Sequence, residues 1–218
     1  MHNGDRQDMP LQSTACVERW FGSEFNHLHP LLQALHRHGG MLQGEVQISF
    51  GNGLAGWLGR RLARKLGVPV GVERTGLQVH ISHADGVLHW DRCFGGAVNT
   101  PEQWMRSRFE PVGQWPQGYW LERTGLLELH LGVDVVDSAW HWVPRSFKLL
   151  GMPLPAALML TSRASKRVQC GQYVFEVHMS APLLGMLLRY EGCLDLIIAT
   201  YLIAACADNT WTISLIYL

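Results

Sequence analysis

From Leu77 to Gly192 the chain repeats one local pattern, apolar and polar residues in alternation, with no helical period between the segments. Leu77–Ser82 and Val87–Phe94 alternate on either side of His83-Ala84-Asp85-Gly86, a hairpin-turn composition. Trp104–Val112, Gly118–Arg123 and Leu126–Val133 continue the series, the last two meeting at Thr124-Gly125. Ser138–Trp142 and Phe147–Leu150 are shorter segments, and Tyr173–Met179 and Gly185–Gly192 close it. Strands that follow one another without a crossover helix pair antiparallel. A sheet of this many strands has two edges to hide, and it hides them by curling or closing. The expected fold is mainly β: a single-domain curled antiparallel sheet or barrel-like meander. The alternative is an α+β helix-grip arrangement, with a helix plugging a strongly curved sheet.

Helical spacing occurs before this run. Phe25, Leu28, Leu31, Leu32 and Leu35 recur on one face up to the Gly39-Gly40 stop, which predicts an amphipathic helix over 25–38. Met41–Phe50 then alternates as a strand with one wet face. Leu54, Leu58, Leu62 and Leu66 mark a second amphipathic helix, with Gly67 as its C-cap. Residues 1–22 read as a loose leader and 23–192 as one β-rich domain. Residues 193–218 read as an atypical tail, without Lys or Arg, whose apolar run Leu196–Ala207 is too short to span a bilayer.

Composition narrows the function classes. A chain of 218 residues with 47% hydrophobic and 17% charged residues buries a real core and is not disordered. Its 18 basic and 18 acidic residues lack the basic surplus of a nucleic-acid binder. Five widely spaced cysteines, odd in number and without a CxxC, read as reduced thiols. The polar, acidic N-terminus is no secretory signal, so a cytoplasmic location is expected.

Three motifs invite chemistry. Gly51-Asn52-Gly53-Leu54-Ala55-Gly56 fits the dinucleotide GxGxxG, lies between a strand and a helix, and has Glu73 at a ribose-binding distance. Against it, the preceding strand carries Glu45, Gln47 and Ser49 at alternate positions, whereas a Rossmann first strand is buried on both faces. A glycine-rich bend into a helix is the favoured reading, and no cofactor is expected. Arg60, Arg61, Arg64 and Lys65 form a basic helix face, a solvated surface first and a peripheral membrane contact second. The eleven histidines offer no convergent metal-ligand spacing. Trp90, Arg92 and Phe94 share one face of a strand. An Arg between two aromatics there is a cation–π stack, an anion-binding group or a snorkelling cover of apolar surface. Glu45, Glu122 and Glu128 are its candidate carboxylate partners.

An ordered succession of weak motifs adds a resemblance. Trp90-Asp91-Arg92-Cys93-Phe94-Gly95-Gly96 comes first, then Thr124-Gly125-Leu126, then Leu150-Gly151-Met152-Pro153-Leu154-Pro155. Gly171-Gln172-Tyr173-Val174-Phe175-Glu176-Val177 follows, and Pro182-Leu183-Leu184-Gly185 with Tyr190-Glu191-Gly192 ends it. This order resembles the bacterial domain of unknown function DUF4166, from about Leu28 to Gly192. The chain departs from the pattern at Cys193-Leu194, where Trp-Leu is expected. The resemblance implies no activity of the domain itself. Such domains also occur fused behind saccharopine-dehydrogenase-like or epimerase-like NAD-dependent domains, which implies at most an oxidoreductase partner in trans.

These readings converge on a non-catalytic module that holds a small apolar or lipid-like ligand within the curved sheet, lined by Trp90, Arg92, Phe94, Tyr173, Phe175 and Tyr190. An accessory domain for a separate NAD-dependent oxidoreductase is the second expectation. An enzyme using Gly51–Gly56 as a dinucleotide loop is the third. No catalytic or metal residue is nominated.

Overall fold

A computed structural model describes residues 15–95, 101–125, 127–153 and 161–197. Most of the leader, residues 1–14, and most of the apolar run Leu196–Ala207 lie outside them. The described chain forms one antiparallel sheet that closes on itself. Its strands are β1 (Gly40–Phe50), β2 (Arg74–Ala84), β3 (Val87–Phe94), β4 (Gln103–Val112), β5 (Tyr119–Thr124) and β6 (Leu127–Val136), followed by β7 (Ala139–Leu149), β8 (Met152–Pro153), β9 (Thr161–Gln169), β10 (Gln172–Ala181) and β11 (Gly185–Ile197). Each pairs with the next, except that β7 pairs with β9 while the two-residue β8 adds to its margin. β1 joins β11 from Met41↔Ile197 to Phe50↔Leu188 and completes a ten-stranded barrel. The barrel is thus closed rather than merely curled. Closure leaves no long edge unpaired among the described strands, which removes the template that an open sheet offers to a second chain.

Local chemistry explains the segments. The β2–β3 hairpin turns at Asp85-Gly86, both at positive φ (53° and 75°), the conformation a two-residue turn needs to match strand twist. β7 is continuous where two short segments were expected. Pro144 lies within it beside a register shift at His130/Leu131, and that bulge absorbs the missing N–H. The expected first helix divides into a 3₁₀ turn (Gly22–His27) and α2 (Pro30–His38), because Pro30 holds the residue before it extended. Ahead of these lies α1 (Cys16–Phe21), inside the segment read as loose, with Cys16, Val17, Trp20 and Phe21 buried. β11 likewise runs beyond Gly192, and Leu194 is fully buried.

The helices close the two ends. α1 and α2 fill one end, where Trp20 meets Trp120 at 5.3 Å and Phe21 meets Trp140 at 5.0 Å. From there the indoles continue inward: Trp120 to Trp140 at 6.3 Å and Trp140 to Trp142 at 4.8 Å. The other end is crossed by α3 (Gly53–Leu66), which packs on β11 and β1. Its glycines allow this approach. A Cβ at Gly59 would fall on the Leu187 carbonyl oxygen, and one at Gly51 on that of Met186. The GxGxxG run therefore has a packing explanation, in an antiparallel barrel that offers no parallel strand–helix crossover.

Candidate functional site

Between the helical plug and α3 the barrel interior is not completely filled. A cavity of about 70 Å³ remains. Aliphatic and aromatic side chains make most of its wall, among them Leu66 from α3, Met105, Phe109, Leu129 and Trp142.

Of the six residues nominated from sequence, Trp90, Arg92, Tyr173, Phe175 and Tyr190 line this cavity. Phe94 does not line it but supports it, packing edge-on to Tyr190 at 6.0 Å. Alternation explains the convergence: Trp90, Arg92 and Phe94 are the inward residues of β3, and Tyr173 and Phe175 those of β10. Phe175 and Tyr190 meet edge-on at 5.9 Å across the β10–β11 pair.

The polar part of the wall is a directed chain. Arg92 lies over the Trp90 ring at 5.3 Å, and its Nη1 donates to Ser107 Oγ at 3.0 Å. Ser107 and Thr124 share a 2.7 Å hydrogen bond, and Thr124 Oγ1 donates to Glu122 Oε1 at 3.0 Å. A hydroxyl has one proton, so Thr124, donating to Glu122, accepts from Ser107, which in turn accepts from Arg92. Guanidinium and carboxylate are coupled through two buried hydroxyls. Of the three carboxylates nominated for Arg92, Glu122 alone joins this network. Glu45 is exposed on the outside, and Glu128 binds Lys148 Nζ at 2.7 Å on the outer face. Among the described residues, no carboxylate lies within ion-pair distance of Arg92.

Sequence reasoning missed the most unusual residue. Lys166, inward on β9 and 4% exposed, lines the same cavity. Its Nζ sits 3.8 Å from the centre of Trp90, 4.3 Å from Trp140 and 4.8 Å from Trp142. It has no hydrogen-bond partner among the described residues, and the same holds for the buried Tyr173 hydroxyl. Two effects compete at this amine. Indole faces favour the ammonium by about 0.5–2 kcal/mol each. Removing an unpaired charge from water costs several kcal/mol. Burial wins, helped by the positive charge of Arg92, and holds the Lys166 amine well below its usual 10.5. Burial likewise pushes the Tyr173 hydroxyl well above 10.0. On the plug side of the cage His36 stacks on Trp90 at 5.8 Å, and burial keeps its imidazole well below 6.5.

The other flagged groups lie elsewhere. The α3 cations are exposed, Arg60 over Phe50 and Arg61 over Trp57. Cys16, Cys93, Cys170 and Cys193 are free thiols. Among the described residues, no three His, Cys, Asp or Glu side chains come together as metal ligands, and no helix is long and apolar enough to cross a membrane.

The family profile for "Domain of unknown function (DUF4166)" matches residues 28–194, which includes β1 to β10, most of β11 and the whole cavity wall described above. The chain belongs to the DUF4166 family. No curated protein matches it. In this DUF4166 domain the match ends at Leu194, two residues past the Gly192 boundary drawn from the motifs, and Leu194 is part of the core.

Proposed function

We propose that this DUF4166 domain is a non-catalytic module that encloses a small apolar, lipid-like ligand in its barrel, with Arg92 meeting the ligand's polar end. The supporting observation is the cavity itself, apolar over most of its wall with a few polar groups among the lining side chains. Its size selects a short or slender ligand, because about 70 Å³ does not accommodate a long acyl chain without displacing side chains. Native mass spectrometry of protein purified from cells should show a co-purifying small molecule, and short-chain apolar ligands should raise the melting temperature. Arg92→Met should abolish that ligand-induced rise, read as the difference between the variant's own melting temperatures with and without ligand. A clean apo mass with no thermal response to any apolar ligand would count decisively against the reading.

The outer face of α3 favours a second, separable role in peripheral membrane contact. Leu54 (62% exposed) and Trp57 (56%) stand beside the cationic Arg60, Arg61, Arg64 and Lys65. Co-sedimentation with anionic vesicles, lost in Trp57→Glu and at high salt, tests it; equal binding to neutral vesicles would exclude the electrostatic part.

A further inference from the structure

Inside the barrel, among the described residues, the hydrogen-bonding groups do not balance. Arg92 and Glu122 are joined through Ser107 and Thr124 and offset one another. Lys166 is left over, buried among three indoles without an acceptor, and so is the donor of Tyr173. An unpaired buried donor is costly, and two facing one cavity with an arginine mark what is missing there: an acceptor that carries negative charge. A carboxylate fits. Its two oxygens accept several hydrogen bonds, and its alkyl part would lie against the Met105, Phe109 and Leu129 side of the wall.

We propose that the cavity takes its ligand as a small apolar monocarboxylate, whose anion is held by Arg92, Tyr173 and Lys166 and whose entry draws one proton from solvent onto the Lys166 amine. This rests on the ligand-binding reading above and names its chemical class. The proton balance is simple. In this proposal the amine, which burial already disposes to give up its proton, is neutral before entry, the free ligand is an anion, and the complex holds an ammonium–carboxylate pair. The charged and titratable groups that share the cavity wall with Lys166 are Arg92 from β3, Glu122 from β5, Tyr173 and Glu176 from β10 and Tyr190 from β11; His36 from α2 lies across Trp90, and β7 contributes indoles. Of these, Arg92 is permanently charged and Tyr173 keeps its proton to donate it. His36 lies behind Trp90 and is not among the residues lining the cavity.

Titration calorimetry with pentanoate, run in buffers of different ionisation enthalpy between about pH 7 and 9, tests this directly. The expected result is uptake of about one proton per pentanoate bound and an affinity that falls towards tenfold per pH unit. Pentan-1-ol, equal in chain length, should bind at least tenfold more weakly and without proton uptake. Lys166→Met should still fold, bind pentanoate at least tenfold more weakly, and show no uptake at any pH. If the wild type takes up no proton, or holds the alcohol as tightly as the acid, the carboxylate proposal fails and the broader apolar-ligand reading stands. Should neither compound bind and none shift the melting temperature, both fall together.

Discussion

Lys166 is a residue the fold tolerates rather than needs. A methionine of similar length at that position keeps the contacts with Trp90, Trp140 and Trp142 and removes a buried amine that has no acceptor. Lys166→Met is therefore expected to stabilise the empty protein, by about 1–3 kcal/mol, in urea unfolding near neutral pH. The sign of the pH dependence follows from the depressed folded-state value. Between that value and the unfolded value near 10.5, the unfolded chain binds the extra proton, so wild-type stability rises with pH across this window. Lys166→Met should flatten that rise. Tyr173 and Tyr190 act in the opposite sense at higher pH: burial raises both hydroxyls, so stability falls once the unfolded phenols ionise, above about pH 10. On the acid side His36 stays neutral inside while its unfolded counterpart charges. Stability should decline as pH drops below 6.5, and His36→Phe should remove that part of the decline.

At the scale of elements, α3 depends on close backbone approach to β11. Alanine is the better helix former by nearly 1 kcal/mol, yet Gly59→Ala puts a methyl onto the Leu187 carbonyl. A net loss of about 1–3 kcal/mol is expected, measured by thermal unfolding, because a backbone atom cannot swing aside as a side chain can. At the opposite end Trp20→Ala should cost about 3–5 kcal/mol, since Trp20 is buried between Phe21 and Trp120. A loss below about 1 kcal/mol would mean that α1 is only loosely attached. The elements also show what could be read beforehand. β1, β3, β10 and α3 were legible because each alternates or recurs with apolar residues on its buried face, and that brought five of the six nominated residues to the cavity. β9 was invisible for the converse reason: its inward positions are Ala164, Lys166 and Val168, and a lysine in the middle erases the period. The same side chain therefore hid both a strand and the most unusual group of the site. α1 was missed because six residues are too few to show a helical period.

For the whole molecule, the decisive contact is the seam between β1 and β11, the first and the last of the described strands. The barrel exists only once that long-range pair forms, so unfolding should be a single cooperative transition and folding slow, in the millisecond-to-second range or longer. A chain ending at Ala181 lacks β11, exposes the edges of β1 and β10, and should fail to give the native near-ultraviolet spectrum and instead aggregate. A soluble, cooperatively folding product would show that closure is dispensable. The run of indoles from the plug into the core has a consequence of another kind. Trp20, Trp120, Trp140 and Trp142 stand 5.3, 6.3 and 4.8 Å apart in sequence along the row, held at fixed tilts. Chromophores this near to one another share their electronic excitation and behave optically as one extended absorber. Their coupled bands fall where circular dichroism is used to count strands and helices, so the spectrum of this barrel should depart from that of an ordinary β-protein. Trp140→Phe, which breaks the 6.3 and 4.8 Å links together, should reduce that departure while the barrel stays closed.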